Sequence, residues 1–156
     1  MLKLRLNSEK QFFLFFLILI CIIISPNDVQ SQNGKKITSV VIDAGHGGED
    51  SGATGVNGVL EKDLNLAVAN TMGEMLVEKG FSVVYTRTED KMLYEEWENI
   101  KGIRKISDLK NRCKIAKNYP NALFISIHMN AFPQTQYSGA QVWYGIKDSR
   151  SQEIAA

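Results

Sequence analysis

Cysteine is scarce in this chain, with two in 156 residues, Cys21 and Cys113. The first lies in an apolar leader and only the second beyond it, so a disulfide framework and a multi-cysteine metal site are both excluded. Charge of one sign is lacking too: 18 basic residues face 17 acidic ones. Such a balance argues against a nucleic-acid partner and offers no polybasic tail for anionic lipid. Membrane-spanning length is also missing. The apolar run Phe12 to Ile24 falls short of the roughly 20 residues that cross a bilayer, and Pro26 and Asn27 end it. Histidine is the last scarcity, with His46 and His128 the whole supply.

The opening "MLKLRLNSEK" carries Lys3, Arg5 and Lys10 ahead of the apolar run, the order of a secretory signal peptide. "DVQSQ" suits cleavage between Ser31 and Gln32, giving a signal over 1–31, a linker over 32–37 and a domain over 38–156. Ile20 stands where a lipoprotein signal would carry a small residue before Cys21, so lipidation is not expected. The alternative is an uncleaved amphiphilic anchor. Cleavage would leave 15 charges of each sign, since three basic and two acidic residues depart with the leader. The product would be exported, with no stable membrane anchor.

Beyond the linker, β-branched Ile37 to Ile42 reads as a strand buried on both faces. Leu64, Ala67, Val68, Met72, Met75, Leu76 and Lys79 follow at helical spacing, and Gly80 is placed to end that helix. Phe81–Thr86 reads as a second strand. In "SDLKNRCKIAKN" a helix would put Leu109, Cys113 and Ala116 on one buried face, making Cys113 a core thiol. Ala122–His128 reads as a third strand, Gly139–Gly145 as a fourth, and "DSRSQEIAA" begins a helix. Alternating strands and helices predict a three-layer α/β/α sandwich around a mainly parallel sheet.

Parallel strands bring their carboxyl ends to one edge, where ligands gather. His46 follows the first strand and His128 ends the third, so the only two histidines converge there. Two histidines and a carboxylate are a common catalytic zinc set, with a fourth position left for water. Spacing alone leaves the carboxylate open. Glu49 completes a short His-x-x-Glu pattern, whereas Glu61 sits at a helix start whose amino terminus favours an anion. Gly45, Gly47 and Gly48 allow a sharp turn and close approach of a bulky substrate, or simply an ordinary tight βα turn.

"VVIDAGHGGEDSGATGVNGVLEKDLNLAVA" resembles the opening motif of the zinc-dependent N-acetylmuramoyl-L-alanine amidases. "TR" at Thr86 and Arg87, "NRCKIAKN" at Asn111 to Asn118, "LFISIHMNA" at Leu123 to Ala131 and "SGAQVWY" at Ser138 to Tyr144 resemble its later blocks, in the same order. The resemblance implies a cell-wall hydrolase cutting the amide between N-acetylmuramic acid and the L-alanine of peptidoglycan stem peptides; the sequence leaves open whether an activator protein is a partner. It carries zinc ligation onto His46, Glu61 and His128, and not onto Glu49. Asp50 is expected to be a structural loop position, and Arg112 and Asn130 to fix loops near the metal. The family's acid/base glutamate stands on a late strand in a block absent here, and neither Asp148 nor Glu153 fits it. The chain therefore reads as C-terminally incomplete, lacking its last helix and strand; the alternative is a non-catalytic module that binds zinc and peptidoglycan. The long segment Glu89 to Ile106 has two readings, a lid offering Tyr94 and Trp97 to sugars, or a surface helix packed by Leu93, Trp97 and Ile100.

Overall fold

A computed structural model describes residues 36–98, 103–130, 139–145 and 149–155. The signal segment 1–31, most of the linker, Ile100 and Asp148 lie outside the described residues. No helix among the described residues is long and apolar enough to cross a membrane. Residues 37–131 form one unit, whereas 139–145 and 149–155 belong to a second.

Three parallel strands make the sheet of the first unit: β1 (Ser39–Ala44), β2 (Ser82–Tyr85) and β3 (Leu123–Ile127), in the order β2-β1-β3. The central strand is the most buried of the three, as a strand covered on both faces must be. Val40, Val41 and Ile42 are almost wholly inaccessible, each contributing roughly 1.5–3 kcal/mol by leaving water. Register pairs Ile42 with Tyr85 on one side and Ile125 on the other, and Asp43 with Ser126.

Strand alternation sorts the helices between the two faces. Helix α1 (Glu61–Glu78) lies on the Ile42 face, where Tyr85 reaches its Gly73 so closely that a Cβ there would overlap the phenol. Helix α2 (Arg104–Lys117) reaches the opposite face, since its Arg112 bonds Asp43. Helix, sheet and helix thus give the expected three layers. The end of α1 is a Schellman turn: Gly80 has φ +87°, its N–H reaches the Val77 carbonyl, and the Phe81 N–H reaches that of Leu76.

Three expectations fail. The residues of α2 that are buried are Asp108 and Arg112, while Leu109 is 52% exposed and Cys113 is exposed. This helix faces the carbonyl-rich end of β1, where hydrogen bonds and not apolar contacts are on offer, so Cys113 is no core thiol. Gly139–Gly145, described by itself, carries no strand assignment, and Trp143 is 84% exposed. Its valine and aromatics favour a strand only where a pleated, half-buried surface receives them. Helix α3 (Ser149–Ala155) follows it. Lastly, among the described residues after Glu89, Leu93 precedes and Trp97 lies within a 3-10 turn, Glu96–Glu98, and Trp97 is 74% exposed, so Trp97 does not pack a helix onto the sheet.

Candidate functional site

The carboxyl end of β1 runs into a loop whose backbone is held almost atom by atom. The Ala44 carbonyl accepts from Arg87 Nε (2.9 Å) and Arg112 Nη1 (2.7 Å). Gly45 O accepts from Arg87 Nη2 and Asn65 Nδ2, and His46 O accepts from Arg112 Nη2 at 2.7 Å. Two buried guanidiniums thus hold three consecutive carbonyls. They match this task because the planar fork presents several donors in fixed directions.

That grip has a reason. His46 adopts φ +62°, the left-handed region that an L-residue with a Cβ enters at a cost of roughly 1–2 kcal/mol. Such a conformation persists only where neighbours over-determine it. Gly47 and Asp50 close the turn with paired backbone bonds (2.9 and 3.1 Å). Gly48 N donates to Asp90 Oδ1, while Lys62 Nζ bridges Gly48 O and Asp90 Oδ2.

Arg112 is itself balanced. It bonds Asp43 at 2.8 Å and Asp108 at 2.8 Å, and Asp43 also accepts from Thr86 Oγ1 and Ser126 Oγ. Burial works against the Asp43 charge, but those hydroxyls and the guanidinium outweigh it and hold its carboxyl below the ordinary value. Burial likewise lowers Arg87, which remains a cation in a protein.

The loop delivers His46 to two partners from other elements. Glu61 opens α1, and carbonyls of the preceding loop cap that helix: Glu61 N donates to Ala53 O and Lys62 N to Ser51 O. In return Ala53 N donates to Glu61 Oε2 at 2.8 Å, and Met129 N to Oε1 at 3.0 Å. Asn65, one turn along α1, adds a longer bond at 3.4 Å. Burial raises the Glu61 pKa, but the two backbone N–H groups, His46 and Asn65 prevail and keep it below normal, so Glu61 is an anion at neutral pH.

Glu61 Oε1 stands 3.2 Å from His46 Nε2 and 3.2 Å from His128 Nδ1. The two imidazoles meet edge to face with centroids 4.9 Å apart. One ligand-capable atom from each of His46, Glu61 and His128 lies within 4.8 Å of the others. Exposure is graded, from Glu61 buried at 6% to His128 open at 48% of its side chain. Three donors, two neutral-capable nitrogens and one anionic oxygen, open to solvent on the His128 side, form a set that could hold a zinc ion with a free position. His46 Nδ1 is buried without a completed hydrogen bond, although Asp50 Oδ2 lies 3.0 Å away; the distance suits a bond and the alignment does not complete it.

Of the sequence-based candidates, His46, Glu61 and His128 come together, whereas Glu49 does not. Its side chain is 67% exposed and pairs with Arg104. Arg112 holds the loop as anticipated, and Asn130 is exposed two positions beyond His128. Asp50 does more than shape a loop, since its carboxylate lies against His46 and also pairs with Lys105 at 3.1 Å. Glu153 sits exposed on α3. Tyr94 lines an open depression with Gly48, Glu49 and Met92, and Arg104 lies 5.4 Å from its ring centroid. Sequence reasoning gave no role to Asn65, Arg87, Lys62 or Asp90. Asn65 was findable, being four residues after Glu61 on the same helical face.

Comparison with known proteins gives these features company. The germination-specific N-acetylmuramoyl-L-alanine amidase of Bacillus subtilis is 40% identical over 116 residues, covering 74% of this chain and 48% of the relative. The amidase AmiA of Escherichia coli is 33% identical, covering 76% and 36%. Among solved structures, the CwlD amidase of Clostridioides difficile in complex with the GerS lipoprotein superposes with a TM-score of 0.69 at 38% identity, covering 76% of this chain and 61% of that one. An N-acetylmuramoyl-L-alanine amidase from Clostridium difficile 630 gives 0.57 at 31% identity, covering 78% and 60%. The chain spans about half the length, or less, of these two curated relatives. Residues 40–156 match the Amidase_3 family profile, and the chain belongs to the N-acetylmuramoyl-L-alanine amidase family.

Proposed function

We propose that this chain carries the metal-binding part of an exported zinc amidase, one that hydrolyses the amide between N-acetylmuramic acid and L-alanine in peptidoglycan. The observation supporting this is the convergence of His46, Glu61 and His128 within 4.8 Å. In this reading the three side chains hold Zn2+, which when bound polarises the scissile carbonyl and acidifies a water molecule. Glu61 supplies the anionic donor, fixed by the N–H groups of Ala53 and Met129. Arg87 and Arg112 fix the backbone that aims His46. His128, the exposed member, flanks the side by which a wall fragment would enter.

A second reading rests on one observation. The carboxylate of the three-residue cluster, Glu61, is engaged by both imidazoles and by the N–H groups of Ala53 and Met129. Chemistry of this type needs a base to take the water's proton and an acid to protonate the leaving amine. With Glu61 so engaged, the second reading is a module that binds zinc and peptidoglycan and turns the substrate over slowly. The complex formed by the CwlD relative supports an accessory protein as a partner here. Metal analysis and release of stem peptides from purified peptidoglycan test both readings. Zinc near one per chain, lost in His46→Ala and His128→Ala, supports the centre. Peptide release at the rate of a complete relative would reject the slow module, and absence of zinc would reject the centre.

A further inference from the structure

Asp50 and Lys105 lie outside the three-donor set; Asp50 stands against His46 from behind, and Lys105 against Asp50. Asp50 Oδ2 lies 3.0 Å from His46 Nδ1, on the ring edge opposite the Nε2 that faces Glu61. Its position is fixed by the paired backbone bonds to Gly47, by Gly52 N donating to Oδ1 at 3.4 Å, and by Lys105 Nζ at 3.1 Å from Oδ2. The neighbouring pair repeats the pattern, with Glu49 held by Arg104. Two consecutive acids of the loop are thus matched to two consecutive bases in the first turn of α2.

We propose that Asp50 is a positioning residue for the metal centre. By accepting the Nδ1 proton it fixes the tautomer and ring orientation of His46, so that Nε2 is the nitrogen presented beside Glu61 and His128. An imidazole has one proton to share between two nitrogens, and the acceptor behind the ring decides which nitrogen is left free to ligate. Ligating histidines are commonly held by a carboxylate in this way, and loss of such a partner typically costs about 10–100-fold in metal affinity. Lys105 keeps Asp50 from turning away. Because Nδ1 is the buried nitrogen without a completed bond, Asp50 is also the group that can satisfy it.

The inference rests on the proposed zinc centre, and one set of measurements separates the two. Zinc affinity of the full chain is measured by competition with a chromophoric chelator, beside Asp50→Ala and Asp50→Asn. The alanine variant should bind zinc about 10–100-fold more weakly. The asparagine variant, whose one amide oxygen can still be turned to accept from His46 Nδ1, should recover most of that loss, with metal-free melting temperatures alike for both. In the unsubstituted zinc-loaded protein, long-range proton–nitrogen correlation of the two histidines should find His46 protonated at Nδ1. That spectrum decides the matter even if the alanine variant does not fold. A proton on His46 Nε2, parent-like affinity in Asp50→Ala, or equal losses in both variants overturns the positioning role while leaving the centre intact. Failure of the parent to bind zinc overturns both.

Discussion

At the scale of single residues, the site is built on positions where almost no other side chain fits. A Cβ on Gly45 would overlap the His128 ring. Gly45→Ala should therefore displace His128 and lower zinc affinity at least tenfold, while circular dichroism keeps its helical signal. Gly52 has φ +65°, and a Cβ there would meet both Glu61 and His46. His46 pays for its left-handed backbone in the metal-free protein. His46→Gly should be more stable to urea than His46→Ala by about 1 kcal/mol, since glycine occupies that region without penalty. Equal midpoints would show that the surrounding bonds, and not the backbone region, set the cost.

At the scale of elements, β1 and α2 are joined by charge and not by oil. Removing Arg112 leaves Asp43 and Asp108 buried without their cation, so Arg112→Ala should cost about 3–5 kcal/mol. Arg112→Lys should not rescue it, because one ammonium cannot serve the two acids and two carbonyls that the fork reaches. Asp43 makes that stability depend on pH. Its folded carboxyl lies below its ordinary value of 3.8, so its contribution is complete above that value and is lost as pH falls through the folded one. The difference in stability between the parent and Asp43→Asn should accordingly be constant from neutrality to about pH 4 and shrink below it.

The same elements explain what the sequence discloses and what it hides. β1 was legible because Val40 to Ile42 have one use, a strand buried on both faces; its continuation to Ala44 was not, because Asp43 reads as a strand end until Thr86, Ser126 and Arg112 are seen to satisfy it. In α1 the apolar stripe pointed near the true face, but the buried set also holds Glu61 and Asn65, which a hydrophobic filter discards. In α2 the filter chose the wrong face, for the buried one is polar. His46 and His128 were legible from scarcity and strand position. The choice of Glu61 over Glu49 needed the family motif, since their separation lies in a loop fold that spacing does not encode.

At the scale of the whole molecule, a proposed ligand that binds only the folded chain should stabilise it by mass action. Zinc at about 100 times its dissociation constant should add roughly 2.7 kcal/mol. A chelator should return the melting temperature to its metal-free value, and a chain with His128→Ala should show neither response. A melting temperature indifferent to zinc in the parent would argue that the cluster holds no metal.

The three donors also differ in when the chain can bring them together. His46 and Glu61 flank one loop and meet within a short stretch, but His128 arrives only when β3 pairs with β1, across contacts as distant in sequence as Asp43 and Ser126, 83 positions apart. Closing a loop of that length is slow relative to forming α1. In a refolding experiment, the signal of helix formation should run ahead of metal capture, so the centre would act as a timer for the moment the sheet closes.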